Sequence, residues 1–202
     1  MNGGTKWVSV DSDYFILEDV PHYLQAFPIL ADAEVSGKGM FSVVFQKAPN
    51  SPTVYKMTCD DAYVEFMQAH AGTPGLPAFA KLLGTTTDLE GKVVYLIELP
   101  RLSALPEEMH LEREAVIATV SHRIMESEKF NGIIECQKCH ADALKEVATS
   151  PLFSKPIRAA LLAISEFLAA TTRDVLVDLI NRENFMYDGF GMIITDPIAP
   201  VD

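Results

Sequence analysis

Three polar residues near the end of the chain, Asp178, Asn184 and Asp196, have the side-chain types best suited to chemistry. Two carboxylates and an amide beside short strands and loops suit Mg²⁺, which takes a few protein oxygens and completes its shell with phosphates and water. Each also has a plainer reading, with Asp178 and Asn184 capping turns and Asp196 preceding a proline turn. Far upstream, Gly37-Lys38-Gly39 stands between two β-rich runs. A turn without side chains there would let backbone N–H groups approach a ligand, although an ordinary hairpin uses the same residues. Lys56 falls mid-strand between Tyr55 and Met57, either as an outward-facing edge charge or as a placed cation. Cys136-Gln-Lys-Cys139-His140 matches the spacing of haem attachment and of half a zinc site, with His122 as a conceivable further ligand. No second Cys-x-x-Cys completes a zinc site, so plain packing is the expectation for this motif.

The elements that must position these residues follow from periodicity and punctuation. Val35 to Gln46 reads as a Gly-Lys-Gly turn followed by a strand, and Val54 to Met57 as a second strand after the Asn50-Ser51-Pro52 turn. Asp60 to Ala71 has helical spacing, with Ala62, Tyr63, Phe66, Met67 and His70 on one face and acids at the front. Gly72 to Pro77 stops it. Lys81 to Thr86 and Lys92 to Leu99 form another hairpin around Glu90-Gly91.

After Pro100 the character changes. Pro106 to Phe130 reads as a long helix, Asp142 to Ala148 as a short one, and Pro156 to Thr171 as a strongly apolar central one. Val175 to Val177, Phe185 to Tyr187 and Met192 to Thr195 read as short strands. The expected class is α+β, with a β-rich front lobe over about 1–100 and a mainly helical rear lobe over about 101–202.

Composition narrows the function. With 202 residues and 49% apolar content, the chain can bury a sizeable core, which excludes a disordered protein. Sixteen basic against 28 acidic residues give a net charge of −12. That argues against direct nucleic-acid binding, whose affinity comes mainly from Lys and Arg on phosphates. No apolar run approaches the roughly 20 residues that span a bilayer. The start, Met1 to Lys6, lacks the pattern of an export signal, so a soluble protein inside a cell is expected.

The order of the parts narrows it further. A Gly-rich hairpin, a strand lysine, a helix, a hairpin leading to a linker and then D…N…D near strand ends is the layout of a protein-kinase-like phosphotransferase. Its chemistry needs phosphate positioning and charge neutralisation more than covalent help.

On these residues the chain resembles the early serine/threonine protein kinases of short-tailed, T-seven-like lytic bacteriophages. The resemblance rests on Gly37-Lys-Gly39-Met-Phe41-Ser42, Val54-Tyr55-Lys56, Ala62-Tyr63-x-x-Phe66 and Gly72-x-Pro74-Gly75-Leu76-Pro77. Tyr95-Leu-Ile-Glu-Leu99, Asp178…Asn184-Phe-Met186 and Ile194-Thr-Asp196-Pro197 complete it. It covers about 30–100 and 170–198 and implies a minimal two-lobed kinase-like fold with a truncated helical C-lobe.

The resemblance also implies ATP and Mg²⁺ as cofactors. Gly37 and Gly39 would cover the phosphates and Lys56 would pair with them, oriented by Glu65. Glu98 and Leu99 would lead into the hinge beside adenine. Asp178 would accept the proton of the substrate hydroxyl, and Asn184 and Asp196 would hold Mg²⁺. Host proteins, such as RNA polymerase or the translation machinery, would be the partners, in the cytoplasm of the bacterial host and with no membrane involved.

The chain departs from the kinase pattern at named positions. Asn184 comes six residues after Asp178 where five are expected, and Glu183 takes the fifth place as a competing metal ligand. Glu65 follows Lys56 by only nine residues, and Pro100, near the hinge, has no N–H to offer adenine. Six residues follow Asp196, too few for an activation segment. These departures leave two alternatives. One is a catalytically impaired, pseudokinase-like protein that binds and inhibits a host target. The other is a small-molecule kinase, which usually carries a His two residues after the Asp, where Ile180 stands.

Overall fold

The computed structural model describes residues 20–39, 41–87, 91–131 and 136–201. The Met1 to Lys6 start, Met40 and Glu90 lie outside them. The fold is α+β, with a five-stranded antiparallel sheet and several helices. It divides into two compact units. One comprises the described residues of Met1–Cys59 with Leu82–Glu98, the other Asp60–Lys81 with the described residues of Leu99–Asp202. The sequence reading ran the first lobe through residue 100, whereas Asp60–Lys81 groups with the second unit.

In the first unit, helix α1 (Val20–Ala26) precedes strands β1 (Glu34–Gly39), β2 (Ser42–Gln46) and β3 (Thr53–Thr58). Strands β4 (Lys81–Thr87) and β5 (Val93–Pro100) complete a sheet ordered β1-β2-β3-β5-β4. Alternation sets its buried face, where Val43, Phe45, Tyr55, Met57, Val94 and Leu96 join Tyr23, Phe27 and Leu30 in one apolar cluster. Two expectations are corrected here. Gly37-Lys38-Gly39 is not the turn but the end of β1, with Gly37 opposite Val44 and Gly39 opposite Ser42. Neither glycine has positive φ; among the described residues the glycines that do are Gly72, Gly75, Gly91 and Gly189. Lys56 is not an edge charge, because β3 is the central strand and Lys56 is only 7% exposed.

In the second unit, helix α2 (Asp61–His70) is capped by Asp60, whose side chain accepts the Tyr63 N–H at 2.9 Å. Its apolar face buries Tyr63, Phe66 and Met67, and Phe66 meets Phe167 edge to face with centroids 5.3 Å apart. Strand β6 (Ser103–Ala104) follows, then a 3₁₀ turn (Glu107–Met109) running into α3 (His110–Asn131). Helix α4 (Gln137–Val147) packs against both α3 and the apolar α5 (Lys155–Ala170). The sequence reading began α4 at Asp142. It begins earlier because Cys136 supplies the cap, its sulfur accepting the Cys139 N–H at 3.3 Å.

Strands β7 (Val175–Val177), β8 (Phe185–Tyr187), β9 (Met192–Ile194) and β10 (Ile198–Pro200) follow. They form an antiparallel β7–β10 pair and a β6-β8-β9 sheet. The loop after α2 is tied into this unit by Gly75. Its carbonyl accepts the Ile194 N–H at 2.8 Å, and its φ of +84° suits only glycine. Among the described residues no helix is long and apolar enough to cross a membrane.

Candidate functional site

Asp178, Asn184 and Asp196 come together in the second unit around one buried amide. The Asn184 side chain, 7% exposed, donates through Nδ2 to the carbonyl oxygens of Asp178 at 2.7 Å and Asp196 at 2.6 Å. A longer contact of 3.2 Å reaches the Asp178 carboxylate. Local structure explains why six residues, not five, separate Asp178 from Asn184. A 3₁₀ turn (Arg182–Asn184), capped by the Asn181 side chain on the Glu183 N–H at 3.1 Å, swings Asn184 back to Asp178. The return path is pinned as well, since the Thr195 N–H donates to the Asn184 carbonyl at 2.8 Å and the Asp178 N–H to the Pro197 carbonyl at 2.8 Å. With Nδ2 committed to backbone carbonyls, Oδ1 is the acceptor end of the amide. Glu183, the competing ligand, is exposed on the same turn.

Electrostatics in this cluster raise the proton affinity of Asp178. Partial burial pushes its carboxyl above the ordinary carboxylate range, the Asn184 hydrogen bond pulls it down, and the neighbouring Asp196 charge raises it. Two carboxylates and an amide are hard oxygen donors of the number Mg²⁺ uses when phosphates supply the rest of its shell. Among the described residues no group of three or more His, Cys, Asp or Glu side chains could hold a metal by itself.

In the first unit, Gly37 pairs with Val44 across β1–β2, and Val44 with Lys56 across β2–β3. Gly37 and Lys56 therefore lie on one cross-strand row, about 10 Å apart at two interstrand spacings. A Cβ on Gly37 would meet only Val44 Cβ at 3.8 Å, and one on Gly39 would meet Ser42 Oγ at 3.3 Å. Glu98 is half-buried and Leu99 buried in the last residues of β5, which runs through Pro100.

Glu65, on α2, is engaged by Arg173, whose Nε donates to Glu65 Oε2 at 2.8 Å while Nη1 reaches Asp61 Oδ2 at 2.5 Å. Arg173 is assigned no role in the sequence analysis. The i, i+4 spacing of Asp61 and Glu65 was the available signal for a shared partner.

Among the described residues, the Cys136–His140 motif belongs to no group of three or more His, Cys, Asp or Glu that could hold a metal ion. Neither Cys136 nor Cys139 is in a disulfide, and both His140 ring nitrogens have protein partners, Glu128 Oε1 at 3.2 Å and the Val177 N–H at 3.2 Å. His122, on α3, is paired with Glu126 at 3.4 Å. Sequence reading missed the His140–Val177 contact because the two residues are 37 positions apart.

Compared with models of known protein families and with curated protein sequences, the chain matches none.

Proposed function

We propose that this chain is an ATP- and Mg²⁺-dependent phosphotransferase with a minimal kinase-like, two-lobed organisation, acting on serine or threonine hydroxyls of host proteins. The observation that supports this reading is the convergence of Asp178, Asn184 and Asp196, spread over 19 residues of sequence, on one hydrogen-bonded cluster around the buried Asn184 amide. In this reading Gly37 and Gly39 cover the phosphates, Lys56 pairs with them, and Glu98 and Leu99 border the adenine. Asp196 through its carboxylate and Asn184 through Oδ1 hold Mg²⁺, with Glu183 as the outlying alternative. The ion supplies neutralisation of phosphate charge. The acceptor oxygen attacks the γ-phosphorus as the bond to the β–γ bridging oxygen breaks, and Asp178 takes the hydroxyl proton. Its raised proton affinity suits a general base.

The test is thermal stabilisation by ATP with and without Mg²⁺, together with transfer of labelled γ-phosphate to a bacterial lysate. A bound nucleotide at 100 times its Kd adds about 2.7 kcal/mol of stability. Asp196→Ala is expected to lose the Mg²⁺-dependent part, and Lys56→Ala to lower transfer by about 10²–10³-fold. No stabilisation by ATP and no labelling would rule the reading out.

One observation favours a second reading, a non-catalytic protein that docks on and inhibits a host target. Glu65, which the kinase layout assigns to Lys56, is held by Arg173. Target binding that needs no nucleotide and survives Asp178→Asn would support it.

A further inference from the structure

His140 is a buried titratable residue that the proposed chemistry leaves unused. It lies on α4 at 7% exposure and touches two other elements. Its Nδ1 accepts the N–H of Val177, the last residue of β7, at 3.2 Å. Because that N–H is a donor, Nδ1 is unprotonated and Nε2 carries the hydrogen, which points at Glu128 Oε1 of α3 at 3.2 Å. The same Glu128 oxygen accepts the Cys136 N–H at 3.3 Å, fixing the carboxylate at the start of α4.

The placement matters because Val177 immediately precedes Asp178. Successive N–H groups of a strand point to opposite sides. The Asp178 N–H goes to Pro197, next to Asp196, at 2.8 Å, and the Val177 N–H goes the other way, to the imidazole. The backbone entering Asp178 is thus held on both sides, by the strand pair with β10 and by His140.

We infer that His140, fixed in its Nε2–H tautomer by Glu128, is a positioning residue that sets the backbone of Asp178 through the Val177 N–H. The inference rests on the proposed function for its kinetic consequence but not for its geometry. A buried N–H deprived of its acceptor shifts to find another, and small misplacements of a catalytic group cost up to about 10²-fold in rate.

Two near-isosteres separate the halves of the ring. His140→Asn places an oxygen close to the Nδ1 position and keeps the acceptor for Val177. His140→Gln reaches toward Glu128 and loses that acceptor. The expectation is that His140→Gln lowers kcat for phosphate transfer about 10- to 100-fold with little change in KM for ATP, while His140→Asn recovers most of it. Amide hydrogen exchange at Val177 is expected to quicken at least about tenfold in His140→Gln and stay slow in His140→Asn. In the unsubstituted protein, nitrogen NMR of His140 is expected to show the Nε2–H tautomer, a readout that needs no variant.

Equal loss of kcat in both variants, kcat losses that simply follow their melting temperatures, or an Nδ1–H tautomer would each overturn the inference. If the unsubstituted protein transfers no phosphate, the kinase reading fails instead. The exchange and tautomer measurements then decide the positioning role alone, and unchanged Val177 exchange in His140→Gln would end it.

Discussion

At the scale of single residues, Asn184 does more to assemble the cluster than either carboxylate, because one amide nitrogen serves two backbone carbonyls from separate loops. Asn184→Ala leaves both carbonyls without that donor. At roughly 1–3 kcal/mol per unsatisfied buried group, a loss of about 2–3 kcal/mol is expected, seen as a melting temperature lower by about 5–10 °C. Asp178→Asn acts in the opposite direction on stability. Burial and the Asp196 charge raise the folded-state proton affinity of Asp178, so its ionised form costs more in the folded state than in the unfolded one. That cost is fully present above the folded-state value and fades as pH falls through it toward the ordinary carboxylate range, where folded and unfolded forms are both protonated. The amide variant is therefore expected to melt higher near pH 7, with the gain shrinking on acidification, while the phosphate transfer proposed above falls. Melting curves of the two proteins at several pH values check the sign.

At the scale of elements, the contrast between two glycines separates a structural role from a ligand-facing one. A Cβ on Gly75 would lie 2.4 Å from the Pro156 carbonyl oxygen, on top of a φ of +84°. Gly75→Ala is expected to cost about 2–5 kcal/mol in chemical denaturation. Gly37→Ala meets only an ordinary contact and is expected to fold normally, so any loss of ATP-induced stabilisation reports ligand approach. Helix α2 offers a second contrast. Its Asp61 and Glu65 pairs with Arg173 are about half exposed, and such pairs contribute little, so Arg173→Ala is expected to cost less than about 1 kcal/mol. The buried edge-to-face pair dominates instead, and Phe66→Ala is expected to cost about 3–5 kcal/mol by the same denaturation assay.

At the scale of the whole molecule, the net charge of −12 directs the choice of partner more than it affects the fold. A basic protein target is expected to associate more slowly as salt rises, with little change in the dissociation rate, as stopped-flow kinetics would show. Short DNA and RNA duplexes are expected to give no gel shift, since few cations oppose the phosphates.

Much was legible because the signals are local. The short strands Val175–Val177, Phe185–Tyr187 and Met192–Ile194 sit where β-branched and aromatic runs placed them, and α2 begins one residue after its aspartate cap. Charge, apolar content and the α+β class likewise follow from residue types and their periods alone. What required the tertiary structure is every relation between distant positions. These include the Asn184 amide bridging Asp178 and Asp196, the Gly75 backbone beside Pro156, the Arg173 hold on α2, and the His140 acceptor for Val177. Periodicity tells which face of an element is apolar, but a hydrogen bond spanning tens of residues depends on how whole elements pack, and no local spacing encodes that.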